Sequence, residues 1–306
     1  VTPPSPFKSH PTAWPIGVLG VAMVSGQCGA ALVKELFPVV GVAGATALRL
    51  TLASLMLAIV WRPWRLAPTA RAMRNILIYG AAMGLMNFLF YSSLERIPLG
   101  IAVALEFTGP LAVAIAASHR AVDFLWIVLA AAGIVALLPH GMGPPWMGPP
   151  ALGSQGLPPA GIACALGAGV CWALYIVFGQ RAGSAHGGAT AALGTLVGAA
   201  LIAPVGVAHA GAALFSPALL PTACGVALLS SALPYSLEMY ALTRLPARTF
   251  GVLMSAQPAL GALSGLCFLG ERLTVIQWAA IAGIMIASGG SAAGSGSAQP
   301  TSATAR

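Results

Sequence analysis

Ten apolar runs, each long enough to cross a bilayer, dictate what this chain can become. They cover 14–33, 43–61, 75–94, 98–117, 123–139, 159–178, 188–208, 221–242, 247–269 and 274–290. A helix needs about 20 residues to cross roughly 30 Å of hydrocarbon. There, every backbone N–H and C=O must find its partner inside the protein, so only helices and closed barrels span. These runs are too long and continuous for the alternating strands of an outer-membrane barrel. Charged residues make up 7% of the chain and apolar ones 58%. A soluble domain carries about 25% charged residues, so this chain has too few to cover a water-facing surface. The expectation is an all-α membrane protein of ten transmembrane helices, with the lipid bilayer as its solvent.

The net charge of +8 does not point to nucleic acid. The basic residues are not clustered with aromatics; they lie between apolar runs, where the positive-inside bias places them. With the N-terminus in the cytoplasm, the inner segments hold Lys8, Arg62, Arg65, Arg71, Arg74, Arg120, Arg181, Arg244, Arg248 and Arg306. The outer loops hold Lys34, Arg96 and Arg272. Ten against three predicts that both termini are cytoplasmic. The first apolar run is too long for a signal-peptide core. Cys28, Cys164, Cys171, Cys224 and Cys267 all lie in apolar segments without a CxxC, and read as packing residues.

Leu94–Ala114 and Leu242–Ala262 repeat one another at a constant offset of 148 residues. Pro98 falls on Pro246 and Pro110 on Pro258; Arg96 on Arg244; Leu105 on Leu253; further on, Asp123 on Glu271. Each copy has a charged turn, a proline opening a helix, and a second proline inside the apolar run as a helix break. Two copies of five helices enter the membrane in opposite senses, an inverted repeat of the kind secondary transporters build around a midplane site. The expected organisation is a disordered cytoplasmic segment 1–13, a first five-helix repeat 14–139, a proline/glycine-rich periplasmic loop 140–158, a second repeat 159–290 and a flexible cytoplasmic tail 291–306, with the Gly/Ser/Ala character beginning at Gly289. The pairs Gly80/Gly84, Gly194/Gly198 and Gly261/Gly265 have the GxxxG spacing that lets membrane helices touch through backbone.

Polar residues inside the runs are the candidates for function. Glu106 lies midway along the fourth run, where a carboxylate costs about 2.5–3.5 kcal/mol on insertion scales. It must face the bundle interior, take up a proton, or find a partner. Beside Ala102, Gly109 and Pro110 it could receive an ammonium group; a purely structural bond to a neighbouring helix is the alternative. Pro110 also withholds a hydrogen bond from the Glu106 carbonyl. Ser231, Pro234, Tyr235 and Glu238 form one polar stripe, and Gly80, Gly84, Asn87 and Tyr91 another. The 148 offset places Asn87 on Tyr235, and two such stripes suggest a wet cavity. Glu238 lies nearer the cytoplasm, where it could meet water or Arg244. Arg49 either snorkels outward, pairs with a glutamate or holds a substrate carboxylate, with a structural pair favoured. Gln27, Trp172, Tyr175 and Gln257 are candidate cavity lining. The chain lacks GxxxxGK[ST] and HExxH, and its histidines are scattered, so neither an ATP cassette nor a metal site is expected.

The segments KELFPVVGVAGATALRL (34–50), PLGIAVALEFTGPLAVA (98–114), ALGAGVCWALYI (165–176), LPYSLEMYALTRLPARTFGVLMS (233–255) and GERLT (270–274) carry a family resemblance. The chain resembles the ten-helix EamA branch of the drug/metabolite transporter superfamily, and within it the threonine/homoserine exporters of bacterial inner membranes. The match extends nearly from Trp14 to Ala287; the loop at 140–159 is longer than that family leads one to expect. The resemblance implies a non-enzymatic inner-membrane secondary transporter exporting small neutral amino acids, without a cofactor. Protons are the expected coupling partner, since the chain has no ATP motif. An exporter of other metabolites or drugs is the alternative within the class; a scaffold or sensor that moves nothing is the alternative outside it.

Overall fold

The computed structural model describes residues 13–65, 68–116, 122–137, 157–183, 187–242, 244–245 and 247–295. Among these every regular element is helical. The helices are α1 (Ala13–Val33), α2 (Phe37–Trp61), α3 (Ala70–Leu94), α4 (Leu99–Glu106), α5 (Thr108–Ala116), α6 (Val122–Leu137), α7 (Pro159–Gly183), α8 (Gly187–Ala210), α9 (Leu220–Ala227), α10 (Leu233–Leu242), α11 (Ala247–Met254), α12 (Gln257–Leu269) and α13 (Val275–Ser295). Six helical stretches are long and apolar enough to cross a membrane, and shorter apolar helices cover Leu99–Val113, Leu125–Val135 and Val275–Ser291. The first stretch, Ala13–Trp61, has 49 residues, more than twice what one crossing needs. It is interrupted by a 3₁₀ turn at Lys34–Leu36 and a kink at Gly41, whose φ of 66° is left-handed.

The surface is apolar: Ile59, Val170, Phe215 and Val275 are each more than 60% exposed. The interior holds Arg49, Asn87, Glu106, Ser231 and Gln257 beside the core of Leu99, Ile101, Leu105, Ile281 and Ile284. A soluble protein would place these groups the other way about. Here the polar side chains avoid lipid and the aliphatic ones meet it.

The ends of the helices follow from local chemistry. Thr69 caps α3, its hydroxyl accepting the Ala72 N–H at 3.3 Å. Gly270 turns left-handed at φ 64° to close α12, and the Glu271 N–H returns to the Gly265 carbonyl at 3.0 Å. The fourth run is split at Phe107, between α4 and α5, three residues before Pro110. The ninth is split at Ser255–Ala256, two residues before Pro258. In each case the proline stands in the first turn of the second piece, where its missing N–H is tolerated, and the carbonyl four residues back loses its usual donor. Those carbonyls belong to Glu106 and Met254, which the 148 offset also relates.

Glycines bring the helices together. On Gly80 a Cβ would lie 2.5 Å from the Gly194 carbonyl oxygen, and on Gly84 it would lie 2.8 Å from the Gly198 Cα. These two pairs join α3 to α8 through backbone, as their spacing predicts. The C-terminal boundary needs correcting: α13 runs through Gly289 and Gly290 to Ser295. A Cβ on Gly289 would stand 3.0 Å from the Ser255 hydroxyl, and one on Gly290 would meet the Trp126 ring. These glycines allow close packing, so the helix does not stop at Gly289. Of the expected terminal segments and loop, residues 1–12, 140–156 and 296–306 lie outside the described residues.

α3 packs on α7 and α8, α2 on α8 and α9, α1 on α10 and α12, α4 on α7 and α12, and α6 on α13.

Candidate functional site

Arg49 stands at the centre of the interior, on the buried face of α2. It is 1% exposed, so it does not snorkel outward. Nor does it pair with a glutamate: the ion pairs among the described residues are Lys34–Glu271 and Arg96–Glu95. The expectation favouring a structural charge pair is therefore corrected. Nη1 donates to the hydroxyls of Ser230, at 3.3 Å, and Ser231; Nη2 donates to Oδ1 of Asn87. The guanidinium also lies 4.7 Å from the centroid of the Tyr91 ring, a cation–π contact. Its Nε has no hydrogen-bond partner among the described residues.

The local fold delivers these partners. Leu228–Ala232 is a π turn between α9 and α10, a wider turn that often marks functional segments. Pro234, four residues after Ser230, cannot donate to the Ser230 carbonyl. The Ser230 hydroxyl donates to the Val226 carbonyl at 2.6 Å, and Ser25 of α1 donates to the Leu229 carbonyl at 2.8 Å. α1 reaches this turn because Gly29 has no side chain: a Cβ there would lie 2.5 Å from the Ser230 nitrogen. From the opposite side, the Asn87 amide is fixed by donating to the Met83 carbonyl at 2.8 Å. Its Oδ1 is thus turned to the arginine.

Glu106 is the last residue of α4, just before the break, and is 7% exposed. No described side chain forms an ion pair with it. α4 and α7 come together beside it: on Gly169 a Cβ would stand 2.8 Å from the Glu106 carbonyl oxygen. Phe107 meets Trp172 edge-on at 5.2 Å between centroids. Gln27 of α1 donates through Nε2 to Oε1 of Gln257, at 3.2 Å, while its own Oε1 has no partner.

Tyr235 lies between Ser231 and the second carboxylate along the chain. It packs against Leu57, Ala192 and Ala232, three residues before Glu238 on α10. Tyr79 and Tyr175 stack their rings at 4.8 Å between centroids. Arg244, in the turn after α10, reaches back to donate to the Tyr240 carbonyl at 3.3 Å and covers the Tyr240 ring. Arg49, Asn87 and Tyr91 are thus in direct contact, and Glu106, Tyr235 and Glu238 are the remaining polar candidates of the interior. The candidate lining residues divide: Trp172 and Tyr175 lie on α7, while Gln27 and Gln257 form a separate pair between α1 and α12.

Two features were not read from the sequence. One is Ser230, which is adjacent to the expected stripe and is brought to Arg49 by the π turn; the proline four residues later is its only sequence signal. The other is a carboxylate linking distant segments. Glu271 accepts from Lys34 Nζ at 2.9 Å through Oε1, and from the Leu99 N–H at 2.7 Å through Oε2. Pro98, at the N-cap of α4, makes no side-chain cap, so a residue 172 positions away satisfies an N–H that the helix leaves open. Gly265 makes room: a Cβ there would collide with the Glu271 carboxylate.

The described residues hold no cluster of three or more His, Cys, Asp or Glu suited to a metal ion. Residues 159–291, the second half of the chain, match the model of the EamA-like transporter family. The chain is 52% identical over 288 residues to the threonine/homoserine exporter RhtA of Escherichia coli strain K12, with 94% of each chain covered. It is equally similar to the exporter of that name from Salmonella typhimurium strain LT2. A solved crystal structure, 18% identical, superposes with a TM-score of 0.61 over 92% of this chain and 96% of the other; that likeness concerns the fold.

Proposed function

The chain belongs to the EamA-like transporter family, and on that premise we propose that it exports small neutral amino acids, threonine and homoserine first, across the bacterial inner membrane. The observation that carries this reading is the 52% identity to the RhtA exporters over 94% of both chains. It is a transporter and not an enzyme.

The proposed architecture is ten crossings in two inverted five-helix repeats, with both termini cytoplasmic. The packing supports it. Number the crossings so that α4–α5, α9–α10 and α11–α12 each make one. Shifting by five crossings then exchanges α3–α7 with α10–α1, α3–α8 with α9–α2, and α5–α7 with α12–α1, all of which are in contact. The pairs α2–α8 and α6–α13 map onto themselves. Reciprocal contacts of this kind are what a two-fold relation generates.

The proposed pathway runs through Glu106, Arg49, Asn87, Tyr91, Tyr235 and Glu238. Glu106 lies at a break in its crossing, with its carbonyl relieved of its usual helical donor. A carboxylate there can take either the substrate ammonium or a proton, but not both. Competition for one group couples outward movement of amino acid to inward movement of protons, and Glu238 is the next carboxylate along the path. The test is flux of labelled threonine in liposomes containing the purified protein, with and without an imposed proton gradient. Uphill movement of threonine that collapses with the gradient is expected. Absence of any amino-acid flux, with flux of another metabolite or drug, would assign the protein to a different substrate class.

A further inference from the structure

Arg49 has more hydrogen-bonding capacity than the protein uses. A guanidinium has five N–H donors. Two from Nη1 go to Ser230 and Ser231, and one from Nη2 goes to Asn87. The Nε–H has no partner among the described residues, and Nη2 keeps one N–H that no hydrogen bond uses. Nε and Nη2 share one edge of the planar group, the edge that receives a carboxylate through two parallel bonds.

The charge is uncompensated too. None of the groups that hold Arg49 is anionic, and no carboxylate among the described residues lies within 4.0 Å of it. A buried ion is costly without a counter-ion, the more so with donors left unmade. Glu106 is buried in the same interior but stands beyond ion-pair distance. A fixed positive group and a carboxylate held apart, with a donor edge unused, complement a zwitterion that carries its ammonium and carboxylate on one carbon.

We propose that the Nε/Nη2 edge of Arg49 is the subsite for the α-carboxylate of the exported amino acid. Asn87, Ser230 and Ser231 are then positioning residues that aim this edge by occupying the other donors. Tyr91 covers the face of the guanidinium, leaving the edge free. Because Arg49 is 1% exposed, the edge is closed off in this conformation and is reached when the packed helices part. This rests on the amino-acid reading above and adds to it the chemical feature that defines the substrate: a free carboxylate.

The experiment uses the full chain in liposomes and competes labelled L-threonine with three unlabelled compounds: L-homoserine, L-threonine methyl ester and 1-amino-2-propanol. The last two keep the amine and hydroxyl but lack the anionic carboxyl group. Losing charged hydrogen bonds of about 1.5–3 kcal/mol weakens binding about 10- to 100-fold. Homoserine is expected to compete, and the other two to need at least tenfold higher concentration. Arg49→Lys keeps the charge but not the planar two-donor edge; if folded, it should need at least tenfold more threonine and lose most of the discrimination against the ester. Equal competition by the ester and the amino alcohol on the unmodified protein overturns the subsite while leaving amino-acid export intact. Failure to move any amino acid overturns the reading of function instead. Should Arg49→Lys not fold, the competition series on the unmodified protein decides.

Discussion

Replacing Gly84 with alanine or leucine probes the contact that holds α3 against α8. A Cβ at Gly84 would lie 2.8 Å from the Gly198 Cα and 2.9 Å from its carbonyl oxygen. Carbon atoms in ordinary contact lie about 3.5–4.0 Å apart, so even a methyl group must part these backbones by about 1 Å. No flexible side chain can yield, because both neighbours are main chain. Overpacking of this kind costs about 1–3 kcal/mol, and leucine should exceed alanine. From the other side, a Cβ on Gly198 would stand 3.1 Å from the Gly84 Cα. The two methyls would compete for one gap, so Gly84→Ala with Gly198→Ala should be worse than the sum of the singles, by about 0.5–3 kcal/mol. Gly225→Ala is the control: that exposed helical position has nothing within 4 Å of a new Cβ. The assay is folded yield and thermal unfolding of the purified protein in detergent. Gly84→Leu with the yield and melting temperature of the unmodified protein would refute the reasoning and place Gly84 toward lipid.

Glu106→Gln keeps size and hydrogen-bonding groups but cannot exchange a proton. It should fold, lose gradient-driven threonine accumulation and retain exchange; uphill transport at the original rate would make the carboxylate structural and turn attention to Glu238. Glu271→Ala should lower thermal stability by about 0.5–2 kcal/mol, the range for losing a helix N-cap, through the open Leu99 N–H; a Lys34→Ala variant that loses as much would assign the effect to the ion pair instead. A reporter fused after Arg74 should read cytoplasmic and one placed between 140 and 159 periplasmic, and the reverse pattern would sink the proposed orientation.

Much of the fold was legible because lipid leaves few alternatives. The apolar runs had to be helices, the glycine pairs had to face other helices, and Pro110 and Pro258 had to open their own segments. The helix starts were less legible: α2 begins at Phe37, before the expected 43, because Pro38 suits a first turn and Gly41 absorbs the bend. Gly289 and Gly290 read as a flexible tail because sequence alone does not reveal that Ser255 and Trp126 fill the space above them. For the site, the polar residues themselves were visible, since each is conspicuous in an apolar run. Their partners were not. Arg49 invites a carboxylate, but Asn87 and two serines from a distant helix surround it. Likewise Glu271 sits in a surface-looking GERLT turn, but its carboxylate closes a helix 172 residues away.

The π turn at Leu228–Ala232 sets the phase of everything after it. An α-helix advances 100° per residue, and a π turn accommodates one residue more than an α turn. Were the segment continuously α-helical with the same number of residues, Pro234, Tyr235 and Glu238 would be rotated by about 100° relative to Ala223 and Val226. The earlier residues would still point into the bundle; Tyr235 and Glu238 would be carried around toward lipid. One surplus residue thus lets a single crossing direct an aliphatic face inward along one half and a polar face inward along the other. Its helical wheel, drawn at a uniform 3.6 residues per turn, mixes these two faces into one.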